Sequence, residues 1–162
     1  MRKHDLVCYS VHPQEYDYDN STMVKNLIFQ ADTVISASHY SGGMDFKVSP
    51  VNLHRWFNAN IENFETVKHH ESMPSQVDSR QMSLFCAGWT AVSLKYLGEA
   101  GAKGITYFET AGERGIIQGD YDSRWPEEFK AVNGMIFPVY HVLYYLLKDK
   151  SFKLIMSRSS DH

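Results

Sequence analysis

Short apolar runs alternate along this chain with longer segments that have helical periodicity. In chain order, the runs and periodic segments lie at residues 6–11, 21–40, 45–51, 79–100, 104–109 and 138–148. A continuous apolar run of this length is typical of a strand that is covered on both faces, as in a parallel sheet. Parallel strands need crossover connections, which helices provide in a right-handed sense. The order therefore predicts an α/β fold with about three parallel strands and flanking helices.

Capping residues support the predicted helix boundaries. Ser21 is suited to cap the first helix. Asp78 can accept from the first amides of the second helix while Gln81 reaches back, and Gly101 closes that helix. Pro138 suits the first turn of the third helix.

The charge balance excludes several classes of partner. Sixteen Lys and Arg residues stand against 19 Asp and Glu residues, for a net charge of −3. Phosphate contacts need clustered basic residues, so neither nucleic acid nor an anionic membrane surface is a predicted partner. The apolar run at residues 6–11 is too short for a membrane span or a signal sequence. We therefore expect a cytoplasmic protein of one domain, in keeping with its 162 residues.

The metal-ligating residue types do not form a recognisable site. Cys8 and Cys86 each lie in an apolar segment and are predicted to be small buried thiols. His69 and His70 follow His54 in one loop, but adjacent histidines rarely converge on one ion. The chain also lacks the G-x-S-x-G, G-x-G-x-x-G and P-loop motifs. The sequence thus predicts no metal and no cofactor.

Two long loops and two open sheet edges complete the organisation. Residues 52–77 show neither helical nor strand periodicity, and a loop of this length is more often functional than accidental. Residues 111–134 are predicted to be another loop, which carries glycines and charged residues. A three-stranded sheet leaves two hydrophobic edges, which natural sheets close, cover or charge. The edges are therefore expected to pair with another chain, or the chain is a piece of something larger. Residues 152–156 are a candidate for one more strand.

Five segments together carry a resemblance to a known family. They are YSVHPQ at 9–14, VSPVNL at 48–53, RQMSLFCAGWT at 80–90, TYFETAGERG at 106–115 and FPVYHVL at 137–143. These segments resemble the last part of the (β/α)8 TIM barrel of D-apionate lactonases and their glycosidase-like relatives. The resemblance implies that residues 1–150 are the C-terminal part of such a barrel. Residues 151–162 would then begin a following β segment or tail.

A barrel of this type predicts where the site lies, since (β/α)8 enzymes place it at the C-terminal ends of the strands. The polar candidates at these ends are His12, Gln14, Asp17, Asp19, Asn52, Arg55, Glu109, Thr110 and Arg114. Glu109 lies at the C-terminal end of an apolar run, so its carboxylate is expected to be partly desolvated. Such a carboxylate is suited to act as general base or nucleophile. The alternative is a carboxylate that merely pairs with Arg114 or Arg55.

The other candidates also have two interpretations each. His12 is suited to orient a substrate hydroxyl or shuttle a proton, or else it is a loop histidine bonded to backbone. Arg55 and Arg114 are suited to hold a carboxylate or a developing oxyanion, or else they are surface residues. Asn52 fits a sugar-hydroxyl ligand or a turn. Gln14 and Thr110 join them as predicted substrate-binding groups.

The resemblance implies a carbohydrate-active hydrolase whose ligand is a small carbohydrate or a sugar-acid lactone. A glycoside hydrolase is an alternative. Glycosidases ordinarily use two carboxylates, and here only Glu109 is well placed, with Asp17, Asp19 and Glu113 as weaker candidates. A non-catalytic remnant that binds a sugar acid or a partner is another. Active sites of this fold draw on several strand ends. We therefore expect the isolated chain to have little turnover, and to self-associate or pair with the missing barrel part.

Overall fold

The computed structural model describes residues 6–14, 17–42, 44–55, 73–149 and 154–158. They contain a parallel sheet of strands β1 (Val7–Val11), β2 (Phe46–Val51) and β3 (Gly104–Tyr107), in the spatial order β1-β2-β3. The helices are α1 (Asn20–Lys25), α2 (Phe29–Tyr40), α3 (Leu84–Glu99) and α4 (Pro138–Leu147). The predicted α/β fold with three sequential parallel strands is confirmed.

The strand register brings the three carboxyl ends to one edge of the sheet. Val51 pairs with Val11 on one side and with Tyr107 on the other. The backbone N–H of Asn52 donates to the carbonyl of Val11 (3.2 Å), so the first two strands remain joined just beyond their last pair. The residues that follow each strand therefore leave from a common rim.

One face of the sheet packs against the helices and the other is open. Tyr9, Val48 and Ile105 belong to the packed side, where Val48 is fully buried together with Val34 of α2 and Leu97 of α3. Strand residues alternate between faces. Among the described residues of β1 and β2, the opposite face carries exposed side chains, namely Cys8, Ser10 and Lys47. In a closed barrel this would be the interior face.

The prediction of two buried thiols is therefore wrong for Cys8, which is exposed. β1 is an edge strand that is covered on one face only, so the apolar run did not signal burial on both sides. Cys86 on α3 is buried as predicted, and this burial raises the pKa of its thiol to about 12. A thiol with such a pKa stays protonated and unreactive at neutral pH.

The predicted helix over residues 21–40 is two helices, α1 and α2, separated by a turn at residues 26–28. Its cap is Asp19 and not Ser21, because the Asp19 side chain accepts from the backbone N–H of Thr22 (3.0 Å). The second predicted helix begins with a 3-10 turn at Ser79–Met82 before α3 starts. Asp78 caps that 3-10 turn by accepting from the N–H of Arg80 (2.8 Å).

The third strand ends at Tyr107, two residues before its predicted end. Phe108 has a φ of +53°, a left-handed conformation that takes the backbone out of the strand. At the far end of the chain, residues 154–158 carry no regular secondary structure, while residues 152 and 153 of the candidate last strand lie outside the described residues. None of the described helices is both long and apolar enough to cross a bilayer.

Candidate functional site

A concavity of about 440 Å³ opens where β1 and β2 end. We call it the strand-end cavity, and its polar lining consists of Ser10, His12, Asn52, His54 and Arg55. Three residues predicted from the sequence, His12, Asn52 and Arg55, are thus brought together in one wall. The position agrees with the general location of sites in (β/α)8 enzymes.

A buried carboxylate lies beside this cavity. Asp78 is only 5% exposed, and both of its oxygens accept several hydrogen bonds. Oδ1 accepts from the backbone N–H (2.8 Å) and from Nε (2.8 Å) of Arg80. Oδ2 accepts from Nη2 of Arg80 (2.6 Å) and Nε2 of Gln14 (2.6 Å), and Nε2 of His54 lies 3.3 Å from it. These four residues, Gln14, His54, Asp78 and Arg80, form what we call the Asp78 cluster.

The electrostatics of the Asp78 cluster favour the charged form of its carboxylate. Burial alone would raise the pKa of Asp78, because desolvation disfavours charge. The hydrogen bonds from His54, Arg80 and Gln14 outweigh this effect and hold the pKa well below its usual range. Asp78 is therefore ionised throughout the pH range in which proteins normally work.

The same cluster connects the elements that form the rim. Gln14, just beyond β1, donates from Nε2 to the carbonyl of Leu53, just beyond β2 (2.9 Å). Arg80 donates from Nη2 to Gln14 Oε1 (2.7 Å) and from Nη1 to the carbonyl of Tyr18 (2.8 Å). Gln14 is therefore a buried structural residue at this rim, with 2% exposure, and its side-chain amide is committed to protein partners.

The end of β3 carries a separate ion pair. Arg114 Nη2 lies 2.7 Å from Glu109 Oε1, and each side chain is about one third exposed (33% and 34%). Glu109 is not one of the described residues that line the strand-end cavity. Thr110 is exposed in the loop that follows β3. The pairing that the sequence offered as an alternative for Glu109 is present, and its catalytic role stays a prediction.

A smaller pocket connects the two regions. Arg114 lines it together with Asn52, His54 and Asp78. Gln81, also in its lining, donates from Nε2 to the carbonyl of Gly115 (2.8 Å) and so anchors the loop after β3 to the start of α3. Arg114 is therefore the predicted residue that borders both the Asp78 cluster and Glu109.

Three residues of this site, His54, Asp78 and Arg80, were not predicted from the sequence. His54 was considered only as a metal ligand, and within the described ranges no group of three His, Cys, Asp or Glu residues is placed to hold a metal ion. His69 and His70 lie outside those ranges. The available signal for His54 was its position two residues after Asn52, at the end of a predicted strand. No local pattern predicted that Asp78 would meet Gln14 across 64 residues.

The aromatic residues that could stack on a sugar ring have different positions. Trp89 is buried in the core and is unavailable to a ligand. Trp125 is half-buried in the loop that follows β3, and Trp56 lies outside the described residues. The ring of Tyr18 stacks on the ring of His54 with a centroid separation of 5.8 Å. Tyr18 is 59% exposed and therefore offers a platform at the rim.

Comparison with known proteins identifies one relationship. The model of a family described as "D-apionate lactonase, TIM barrel domain" matches residues 1–151. No curated protein and no solved structure matches the chain.

Proposed function

We propose, from the premise that this chain belongs to the D-apionate lactonase family, that its strand-end cavity binds a sugar-acid lactone for hydrolysis. The observation that carries the proposal is that His12, Asn52 and Arg55 line one concavity at the C-terminal ends of parallel strands. This is where an enzyme with a TIM barrel holds its substrate. A lactone ring with several hydroxyls matches a wall of amide, imidazole and guanidinium groups.

Four of the predicted residues have a role in this proposal. Arg55 provides charge-assisted hydrogen bonds for the lactone carbonyl, whose oxygen becomes negative as water attacks. Asn52 binds a ring hydroxyl, and His12 exchanges a proton with substrate. Glu109 remains the predicted catalytic carboxylate, and its approach to substrate would require it to leave Arg114 or to act through it.

A glycoside hydrolase is the second candidate. Its ordinary chemistry needs two carboxylates on opposite sides of the scissile bond. In the described residues around the rim, Asp78 is buried and holds Arg80, and Glu109 holds Arg114. This arrangement favours lactone hydrolysis, in which a guanidinium and an imidazole are useful and a second free carboxylate is unnecessary.

The Arg55→Met variant tests the binding role of the guanidinium. One charge-assisted hydrogen bond contributes about 1.5–3 kcal/mol, so we expect the Kd for the lactone of D-apionate to rise about 10- to 100-fold. Calorimetric titration of the full chain measures this change. The control is Arg124→Met, since Arg124 is an exposed arginine that lies outside the cavity lining. If wild-type protein neither binds nor hydrolyses the lactone, the proposed function is wrong.

The open face and edges of the sheet suggest a partner as part of this proposal. A closed barrel of this type has eight strands, and the described residues contain three. We expect the chain to self-associate, so that the exposed side of β1 becomes covered. Cys8→Lys places a charge on that side and is expected to shift the protein towards monomer in light scattering. Ser38→Lys, on an exposed position of α2, is the matched control and should leave the mass unchanged.

If the wild-type protein is monomeric at all concentrations, the association proposal is wrong. The lactone-binding proposal is then decided separately by the titration of the monomer. The two outcomes are independent because the cavity lies between two strands of the same chain.

A further inference from the structure

We infer that His54 is a catalytic residue that transfers protons in the strand-end cavity, with the carboxylate of Asp78 orienting its ring. The inference rests on the proposed function, since it assigns the acid–base group of the same site. It assigns a catalytic role to a residue that the sequence did not place in the reaction. The geometry that carries it is an imidazole lying between a buried carboxylate and an open cavity.

Two contacts hold the His54 ring in place. Its Nε2 lies 3.3 Å from Asp78 Oδ2, and its plane stacks on Tyr18 at 5.8 Å with an interplanar angle of 26°. The His54 side chain is 20% exposed and lines the strand-end cavity together with Arg55 and Asn52. A carboxylate facing Nε2 favours the tautomer with its hydrogen on that nitrogen, which leaves Nδ1 as the basic atom.

Asp78 does not need His54 in order to be satisfied. A carboxylate has about four lone-pair sites, and Arg80 and Gln14 together already donate four hydrogen bonds to it. The position of His54 is therefore not explained by the needs of the buried charge. What the contact does change is the imidazole, because a fixed carboxylate beside Nε2 sets the orientation of the ring and the position of its hydrogen.

Glu109, the predicted catalytic carboxylate, is less well placed than His54 in the described residues. Glu109 is held by Arg114 at 2.7 Å and is not in the lining of the cavity. His12 lines the same cavity as His54. The contact with Asp78 is the observation that assigns proton transfer to His54, and a variant of each histidine separates their contributions.

The step can be written so that its protons balance. Nδ1 of His54 removes a proton from a water molecule while the water oxygen bonds to the lactone carbonyl carbon. The resulting tetrahedral oxyanion is held by Arg55. As the carbonyl re-forms, the ring C–O bond breaks, and the departing alkoxide takes the proton back from the imidazolium. One lactone and one water give one hydroxy acid, and His54 ends in its starting state.

The first test compares His54→Ala with His12→Ala and with His141→Ala, the last an exposed histidine of α4. Positioned acid–base groups contribute typically about 10²- to 10⁴-fold in rate. We expect His54→Ala to lose turnover of the D-apionate lactone on that scale and to regain part of it when imidazole is added. Rescue by imidazole is not expected from a merely structural role. Wild-type turnover in His54→Ala would overturn the inference.

The second test does not depend on turnover. Long-range ¹H–¹⁵N NMR of the wild-type full chain should show His54 with its hydrogen on Nε2. In Asp78→Asn this preference should weaken, and on addition of the lactone the His54 ring signals should move while those of His141 do not. A hydrogen on Nδ1 in the wild type would contradict the inference. So would His54 ring signals that stay unchanged when the lactone binds.

The failures of the two proposals are distinguishable. If the lactone does not bind at all, the proposed function fails, and the inference fails with it as a statement about that substrate. If the lactone binds and is hydrolysed but His54→Ala matches wild type, only the role of His54 is wrong.

Discussion

Replacing Arg80 by alanine is expected to lower the free energy of unfolding by about 3–5 kcal/mol, because it leaves a buried carboxylate without its cation. Asp78 is nearly inaccessible, with a 4% exposed side chain, and Arg80 contacts it through two side-chain nitrogens. Arg80 also joins Gln14 and the carbonyl of Tyr18. Denaturation by urea at neutral pH measures the loss, with the linear extrapolation to water.

The control for this experiment removes an ion pair that is less buried than Asp78 and Arg80. Lys95 lies 2.8 Å from Glu99, four residues further along α3, and both side chains are partly exposed. Such helix pairs contribute about 0.3–0.5 kcal/mol, so Lys95→Ala should change stability very little. If Arg80→Ala were no more destabilising than Lys95→Ala, the buried ion pair would not stabilise this fold.

The pH dependence of stability provides a second check on the same carboxylate. The pKa of Asp78 is lowered in the folded protein, so its stabilising contribution is complete above the pKa of the unfolded chain, about 3.9. As the pH falls below about 4, the unfolded state binds a proton before the folded state does, and this contribution is lost. The stability difference between wild type and Asp78→Asn should therefore shrink as the pH is lowered. A difference that is constant between pH 7 and pH 3 would contradict the assignment.

Phe137→Ala is expected to cost about 3–5 kcal/mol, the usual price of removing a buried aromatic ring. Phe137 is completely buried, and its ring meets the equally buried Phe129 edge-on at 5.8 Å. Its backbone N–H donates to the carbonyl of Ile116 (3.1 Å), which ties the start of α4 to the loop after β3. Urea denaturation again gives the value.

Tyr145→Ala, at a 64% exposed position of the same helix, is the matched control and should stay within about 0.5 kcal/mol of wild type. The loop that Phe137 anchors also carries Arg114. A loss in Phe137→Ala no larger than that in Tyr145→Ala would mean that this aromatic contact contributes nothing to the core.

Much of the fold followed from local patterns. The three apolar runs became the three strands because a β-strand is short, so the residue types of a few consecutive positions are enough to predict it. The segment at 138–148 became α4 with Pro138 in its first turn, since the ring of proline fits a helix start. The predictions that the structure corrects concern the ends of helices and strands, which depend on contacts with neighbouring parts of the fold. The turn at residues 26–28 and the left-handed Phe108 have no signature in a periodic pattern.

The candidate site was only partly predictable, for a related reason. His12, Asn52 and Arg55 could be named because parallel strands deliver their carboxyl ends to one edge, whatever the sequence of the helices between them. Asp78 looked like a helix cap, and it does cap a 3-10 turn. The same side chain also meets Gln14 and His54, which no nearby sequence pattern reports.

The sequence by itself determined the order of the elements, their parallel arrangement and that His12, Asn52 and Arg55 follow the strand ends. These depend on short-range periodicity and on the geometry common to all parallel crossovers. The tertiary structure alone decided which rim residues share a cavity, that Cys8 is exposed, and that Asp78 is a buried ion held by Arg80. Burial and ionisation depend on packing between residues far apart in the chain, so they exist only once the chain has folded.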